Sequence, residues 1–232
     1  MYQRSYRKPA SAPIEKYSAE TAWAAAAAAH RLNAGAYIKS GNIAIEANPV
    51  TGEAAIPETI SNRELMYRAL HDPSMITEAD ITDGALMRDY FKGWMFKVIQ
   101  DAKLSEFETT AMRVAGLDEL TSRYDMAILA SLPSTYIRGV SRDTVKNRLD
   151  SASGGHISQI GAKVTATVEV LRSVFSQQWK CYFITGITAD DQSVFFSYKA
   201  ELAPGRKINV AGTVKSHREN KQTQLNRVKI IG

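Results

Sequence analysis

The hydrophobic period changes once along this chain, across the five small residues 151–155, SASGG. Ahead of them apolar residues recur at helical spacing, as in Leu86, Met87, Tyr90, Phe91, Trp94, Met95, Val98 and Ile99. Behind them the repeat is two: Val164, Ala166, Val168 and Val170 alternate with Thr165, Thr167 and Glu169. A pattern of period 3.6 cannot bury one face of a strand, nor a pattern of two one stripe of a helix. The chain is therefore expected to be α+β with the classes segregated, a mostly α-helical N-terminal domain and then a small β domain. Residues 151–155 read as the flexible linker between domains at 18–150 and 156–232.

The helical part carries explicit punctuation. Ser18 precedes a helix with Glu20 in its first turn, alanine at every position from 24 to 29, and Gly35 as the stop. So thin a rod admits a neighbouring helix at close range, and packing within the chain is sufficient reason for it. Ser61 and Glu64 have capping-box spacing ahead of a helix that Asp72 and Pro73 end. Thr77 and Asp80 open a long helix to about Lys103, whose aromatic stripe is spaced as a buried face rather than as a stacking surface. Ser105 and Glu108 repeat the capping box, with Gly116 as the stop. A helix over 117–130, broken by Pro133, and a short one over 142–149 complete the domain. Residues 36–60 are rich in turn formers, with a small hairpin expected about NPVTG at 48–52.

Five strand-like runs follow the linker, at 163–172, 179–187, 193–198, 206–216 and 223–231. A flat sheet of five short strands would expose two edges, so a closed or partly open barrel is expected. In the last run Arg227 and Lys229 share a parity, while Leu225 breaks the pattern of Val228 and Ile230. A bulge near Asn226 reconciles them.

Charge is distributed unevenly. The net +5 combines +3 on residues 1–16, fourteen Lys/Arg against eighteen Asp/Glu over 17–155, and eleven against five over 156–232. A basic arm at 1–17 and a basic C-terminal domain flank an acidic middle, the asymmetry expected for an anionic partner met at specific places. No apolar run approaches the roughly 20 residues of a membrane-spanning helix. The first residues lack the apolar centre of a secretion signal, and Cys181 has no partner for a disulfide or a zinc set. The expectation is a soluble cytoplasmic protein with no membrane partner.

Catalytic motifs are missing: His30, His71, His156 and His217 are widely separated, and neither a phosphate loop nor a GxSxG elbow occurs. Asp190 and Asp191 adjoin in a turn, which is the ordinary place for such a pair. The chain is thus expected to be non-enzymatic, without cofactor or metal; a nuclease or primase fragment would need a metal–carboxylate cluster. Binding is better supported. Residues 211–231 pack Lys215, His217, Arg218, Lys221, Arg227 and Lys229 against Glu219 alone. Trp179, Tyr182, Phe183, Phe195, Phe196 and Tyr198 offer more aromatic area than so small a barrel easily buries, and parity favours Tyr182 and Phe195 as the outward pair. Cations at strand spacing beside exposed rings neutralise phosphates and stack bases. The candidate single-stranded DNA contacts are Lys180, Tyr182, Phe195, Tyr198, Lys215, His217, Arg218, Lys221, Arg227 and Lys229, with Arg4, Arg7 and Lys8 of the arm as secondary contacts.

Over its last third, with HISQIG, then WKCYF, DDQSVFFS and GTVKSHRENKQTQLNRVKI, the chain resembles the OB-fold module of bacteriophage and plasmid DNA-metabolism proteins. The most specific piece is VKxH…KQTxLxRVK: Val214, Lys215, His217, Lys221, Gln222, Thr223, Leu225, Arg227, Val228 and Lys229. The resemblance implies an OB-like barrel and single-stranded DNA binding by a phage replication, recombination or transcription factor, at work in the infected bacterial cytoplasm. Bacterial single-strand binding proteins usually end in an acidic tail, whereas this sequence ends in Lys229, Ile230, Ile231 and Gly232. Contact with a phage RNA polymerase or replication protein, and self-association, are therefore expected of the acidic helical domain. The alternative is an adaptor that recruits a polymerase or helicase and binds little DNA itself.

Overall fold

The structure, a computed structural model, describes residues 15–44, 54–55, 57–99 and 103–231. The hairpin expected at 48–52 and the arm residues Arg4, Arg7 and Lys8 lie outside them. The architecture is α+β. Contacts divide the chain into two compact units, Met1–Gly139 and Val140–Gly232.

The helical unit runs β1 (Tyr17–Ser18), α1 (Ala19–Leu32), α2 (Asn62–His71), a 3-10 turn (Pro73–Met75), α3 (Glu78–Ile99), α4 (Glu106–Gly116), β2 (Glu119–Leu120), α5 (Arg123–Leu129) and the first half of α6 (Leu132–Asp150). Helix α1 is its centre, buried at Ala19 and at every position from Ala22 to His30. A helix apolar on all sides belongs in a core, and side chains no larger than a methyl group let its neighbours approach to backbone contact. A Cβ on Gly84 of α3 would lie 2.8 Å from the amide nitrogen of Ala24. Trp23, Met66, Phe91, Val114, Leu120, Leu129 and Leu132 fill the surrounding space. The caps form as the residue types dictate: Ser18 accepts from the Thr21 amide, Ser61 from the Glu64 amide, and Ser105 and Glu108 close a full capping box.

Two expectations fail here. The helix expected over 117–130 is replaced by β2, which pairs antiparallel with β1, and by α5. Ser122 accepts from the amides of Tyr124 and Asp125, so the cap starts the helix late and leaves Glu119 and Leu120 extended. Pro133, read as a helix breaker, instead stands in the first turn of α6, where a missing N–H costs nothing.

The second unit is a closed barrel of β3 (Lys163–Ser176), β4 (Cys181–Thr188), β5 (Ser193–Tyr198), β6 (Lys207–His217) and β7 (Thr223–Ile231), in the order β3-β4-β5-β7-β6. Counted within the barrel this is 1-2-3-5-4, the OB arrangement, with β5 and β7 parallel and the other pairs antiparallel. Strand β3 is long because it turns a corner: residues 163–169 pair with β6 and 168–176 with β4, with a register shift between Val170 and Arg172. At that corner Gly186 of β4 faces Val170, and a Cβ there would meet the Val168 side chain and lie 2.7 Å from the Glu169 carbonyl oxygen. Val168, Val170, Ile184, Val194, Phe196, Ile208, Val210, Val214 and Leu225 fill the interior. Residues 151–155, expected as a free linker, are tied to the β4–β5 turn: the Gly154 amide donates to the Asp191 carbonyl at 3.1 Å, and Arg148 pairs with the Asp191 carboxylate at 3.0 Å.

Candidate nucleic-acid interface

The pleat of β4 and β5 decides which aromatics face out. Thr185 stands opposite Phe195 and Phe183 opposite Ser197, while Ile184 and Phe196, one residue along, are fully buried. Phe183 and Phe195 therefore share the outer face as diagonal neighbours, with ring centroids 5.6 Å apart and planes inclined at 38°. Tyr182, expected as the outward partner of Phe195, lies on the inner parity instead. It pairs across the strands with Tyr198, and both are half-buried against the barrel core. The outward pair is Phe183 and Phe195.

Two loops flank this face. Residues 177–180 turn between β3 and β4, so Trp179 and Lys180 sit on a turn rather than in the strand expected at 179–187, and Trp179 is 66% exposed. Lys180 has a φ of 47°, the left-handed conformation that ends a tight turn. On the other side the β6–β7 turn brings Arg218 over Phe195, its guanidinium carbon 4.1 Å from the ring centroid. That position is fixed by a relay. Arg218 Nη1 donates to Gln222 Oε1 at 3.0 Å, Gln222 Nε2 donates to Ser193 Oγ at 3.3 Å, and the Arg218 amide donates to the Gln222 carbonyl at 2.9 Å. Lys221 projects from the same turn, exposed. The result is two rings and a stacked planar cation between two loops that carry an indole and further cations.

The remaining candidates are placed elsewhere. Lys215 is the extra residue of a β6 bulge, between Val214 opposite Leu225 and Ser216 opposite Gln224. Arg227 lies in a second bulge, on β7, with a φ of 51°. The expected irregularity near Asn226 is there, since Asn226 pairs with Thr213 and Lys229 with Ala211. Lys215, Arg227 and Lys229 thus belong to the β6–β7 wall, not to the aromatic face. His217 is engaged: its ring stacks on His156 at 3.8 Å with planes 2° apart, and its Nε2 lies 2.8 Å from the Ser158 carbonyl oxygen. Burial, and then the charge of His217, holds the His156 imidazole below its ordinary pKa. Phe183 and Trp179, counted among the surplus aromatics, and Gln222, quoted in the motif, are site residues that sequence reasoning did not place among the DNA contacts. The shared parity of Phe183 with the polar Thr185 was the available signal for the first.

Electrostatically the interface is unspent. Lys180, Lys215, Arg218, Lys221, Arg227 and Lys229 make no ion pair among the described residues. The helical unit has a polar depression of about 530 Å³ where Arg63, Arg123 and His71 meet Glu15, Tyr17 and Tyr67. Burial, and then a hydrogen bond to Glu15, pushes the Tyr17 phenol up to about 12. The two serines there, Ser61 and Ser122, spend their hydroxyls capping α2 and α5. Among the described residues no group of three or more His, Cys, Asp or Glu could hold a metal ion, and no helix is long and apolar enough to cross a membrane. The chain matches no protein-family model, no curated protein and no solved structure.

Proposed function

We propose that this protein binds single-stranded DNA through the outer face of β4 and β5, as a non-enzymatic factor in phage DNA replication, recombination or transcription within the infected bacterium. The observation that carries the reading is the Phe183–Phe195 pair with Arg218 laid over Phe195, bracketed by Lys180 and Lys221, which make no ion pair among the described residues. Every base has a π-face, so rings and a flat guanidinium accept any sequence, and each stacked base contributes about 1–3 kcal/mol. The lysines neutralise the phosphates on either side. In a five-stranded OB barrel this face and its two loops are the surface that commonly takes oligonucleotides. A duplex hides the faces of its bases and offers this surface only backbone.

The test is fluorescence anisotropy with a labelled thymine oligonucleotide, a duplex control and a salt series. Preference for the single strand, with affinity falling steeply as salt rises, is the expected result; equal binding to duplex, or binding indifferent to salt, overturns the proposal. A second reading, an adaptor that contacts a polymerase, replication protein or second copy through the helical unit, draws on the end of α3, where Met95, Phe96 and Ile99 are 58%, 69% and 71% exposed. It predicts partner capture with no oligonucleotide binding at all.

A further inference from the structure

The outer wall of the barrel continues beyond the aromatic face. Strand β5 joins β7 with Phe195 opposite Gln224, and Gln224 stands opposite Ser216 of β6. Close by, the two bulges present Lys215 and Arg227, and Lys229 follows two residues along β7. One strand further, Lys163 of β3 stands opposite Thr213, itself opposite Asn226. All four cations are exposed and make no ion pair among the described residues. Between and beside them the wall carries Thr165, Thr167, Asn209 and Thr213, and no aromatic ring. Lys207 is not part of the strip, because Glu169 stands opposite it.

Such a wall cannot stack bases, but cations and hydroxyls can hold phosphates. It adjoins the aromatic face through the β5–β7 pairing, and from β5 to β3 it is about 14 Å wide at the usual strand spacing of roughly 4.8 Å. The geometry points to one occupant: we propose that a single strand held by its bases on Phe183 and Phe195 continues round the barrel and lays its phosphodiester backbone across β7, β6 and β3, on Lys215, Arg227, Lys229 and Lys163. The protein then has a short base-stacking segment and a longer segment that reads backbone alone. This rests on the proposed function above.

The test uses the full chain with two thymine oligonucleotides, one of about six nucleotides and one of about sixteen, both within the range of about 4–16 nucleotides of site sizes seen for OB folds. Wild type is expected to bind the longer one more tightly and with a steeper salt dependence. The variant K163Q/R227Q/K229Q, checked for folding by its thermal melt, should bind the short oligonucleotide as wild type does. On the long one its slope of log K against log salt should fall by about 2, since each single-strand phosphate contact contributes about 0.7. The charge-keeping variant K163R/R227K/K229R should restore the slope. F183A/F195A should weaken both lengths. Equal loss on both lengths in the K163Q/R227Q/K229Q variant, or no loss on the long one, overturns the proposal. Failure of wild type to bind even the short oligonucleotide would instead remove the proposed function itself, and this extension with it.

Discussion

Arg218 illustrates how one side chain becomes useful only through its neighbours. An exposed arginine on a loop is a mobile cation, whereas Gln222, 4% exposed and held to Ser193, fixes this one over Phe195. Gln222→Leu keeps every charge and removes the relay. It is expected to weaken single-strand binding by about 1 kcal/mol, roughly fivefold, while leaving the salt slope unchanged; Arg218→Gln should lower affinity and slope together. Anisotropy at several salt concentrations separates the two. In the helical unit Asp80, 3% exposed, accepts from Arg31 Nε at 3.0 Å and Nη2 at 2.8 Å and from the Thr77 amide at 2.8 Å. Burial pushes its carboxyl up, but the bonds from Arg31 and Thr77 outweigh that and hold it below the ordinary carboxylate value. Asp80→Ala leaves Arg31 without its carboxylate, with only the Met75 carbonyl oxygen at 2.9 Å still accepting from it. Because Arg31 is 44% exposed and can turn to water, the expected loss is about 2 kcal/mol, below the 3–5 kcal/mol of a fully buried pair, read as the shift in a urea melt.

At the scale of elements, two close approaches decide the packing, and both use glycine. Gly84 lets α3 touch the alanine face of α1, and Gly186 lets β4 cross the β3 corner. Gly84→Ala and Gly186→Ala should each destabilise their own unit by about 1–3 kcal/mol or more: at Gly84 the obstructing atoms are all backbone, and at Gly186 the Glu169 carbonyl oxygen stands behind the Val168 side chain and cannot rotate away. Thermal unfolding would show it, and a neutral effect at either site would contradict the packing described. Helix starts were legible in sequence because a cap is local: Ser18, Ser61 and Ser105 act on amides three residues away. The segment 117–130 was not, because its helix propensity yields to the pairing of Leu120 with Tyr17, a contact spanning the whole unit. Strand parity in β4 was ambiguous for a similar reason. In Tyr182, Phe183, Ile184, Thr185, Gly186 and Ile187 both parities hold apolar residues, and only closure of the barrel over Gly186 puts Phe183 outside.

At the scale of the molecule, stability should depend on pH through two histidines that each unit holds neutral. Burial lowers the pKa of His30, 6% exposed in α1, a backbone hydrogen bond at Gly35 opposing only in part. His156 is lowered by burial and by His217. A base whose folded pKa lies below its unfolded value of about 6.5 contributes stability above that value and loses it as pH falls through the folded pKa. The melting temperature is therefore expected to hold above about pH 6.5 and to decline on acidification toward pH 5, with His30→Leu reducing the decline of the helical unit. An unchanged melt across that range would refute the assignment.

The sequence by itself determined what local physics can determine: where periods change, where helices are capped, that five β runs call for a closed or partly open barrel, and that positive charge gathers in the last third. Tertiary structure alone decided which rings face outward, which cations share a wall, and that the division between units falls inside α6 rather than at the glycines of 151–155. Those outcomes depend on register and closure. A shift of one residue in pairing exchanges the two faces of a strand, and the contacts that forbid the shift come from residues distant in the chain.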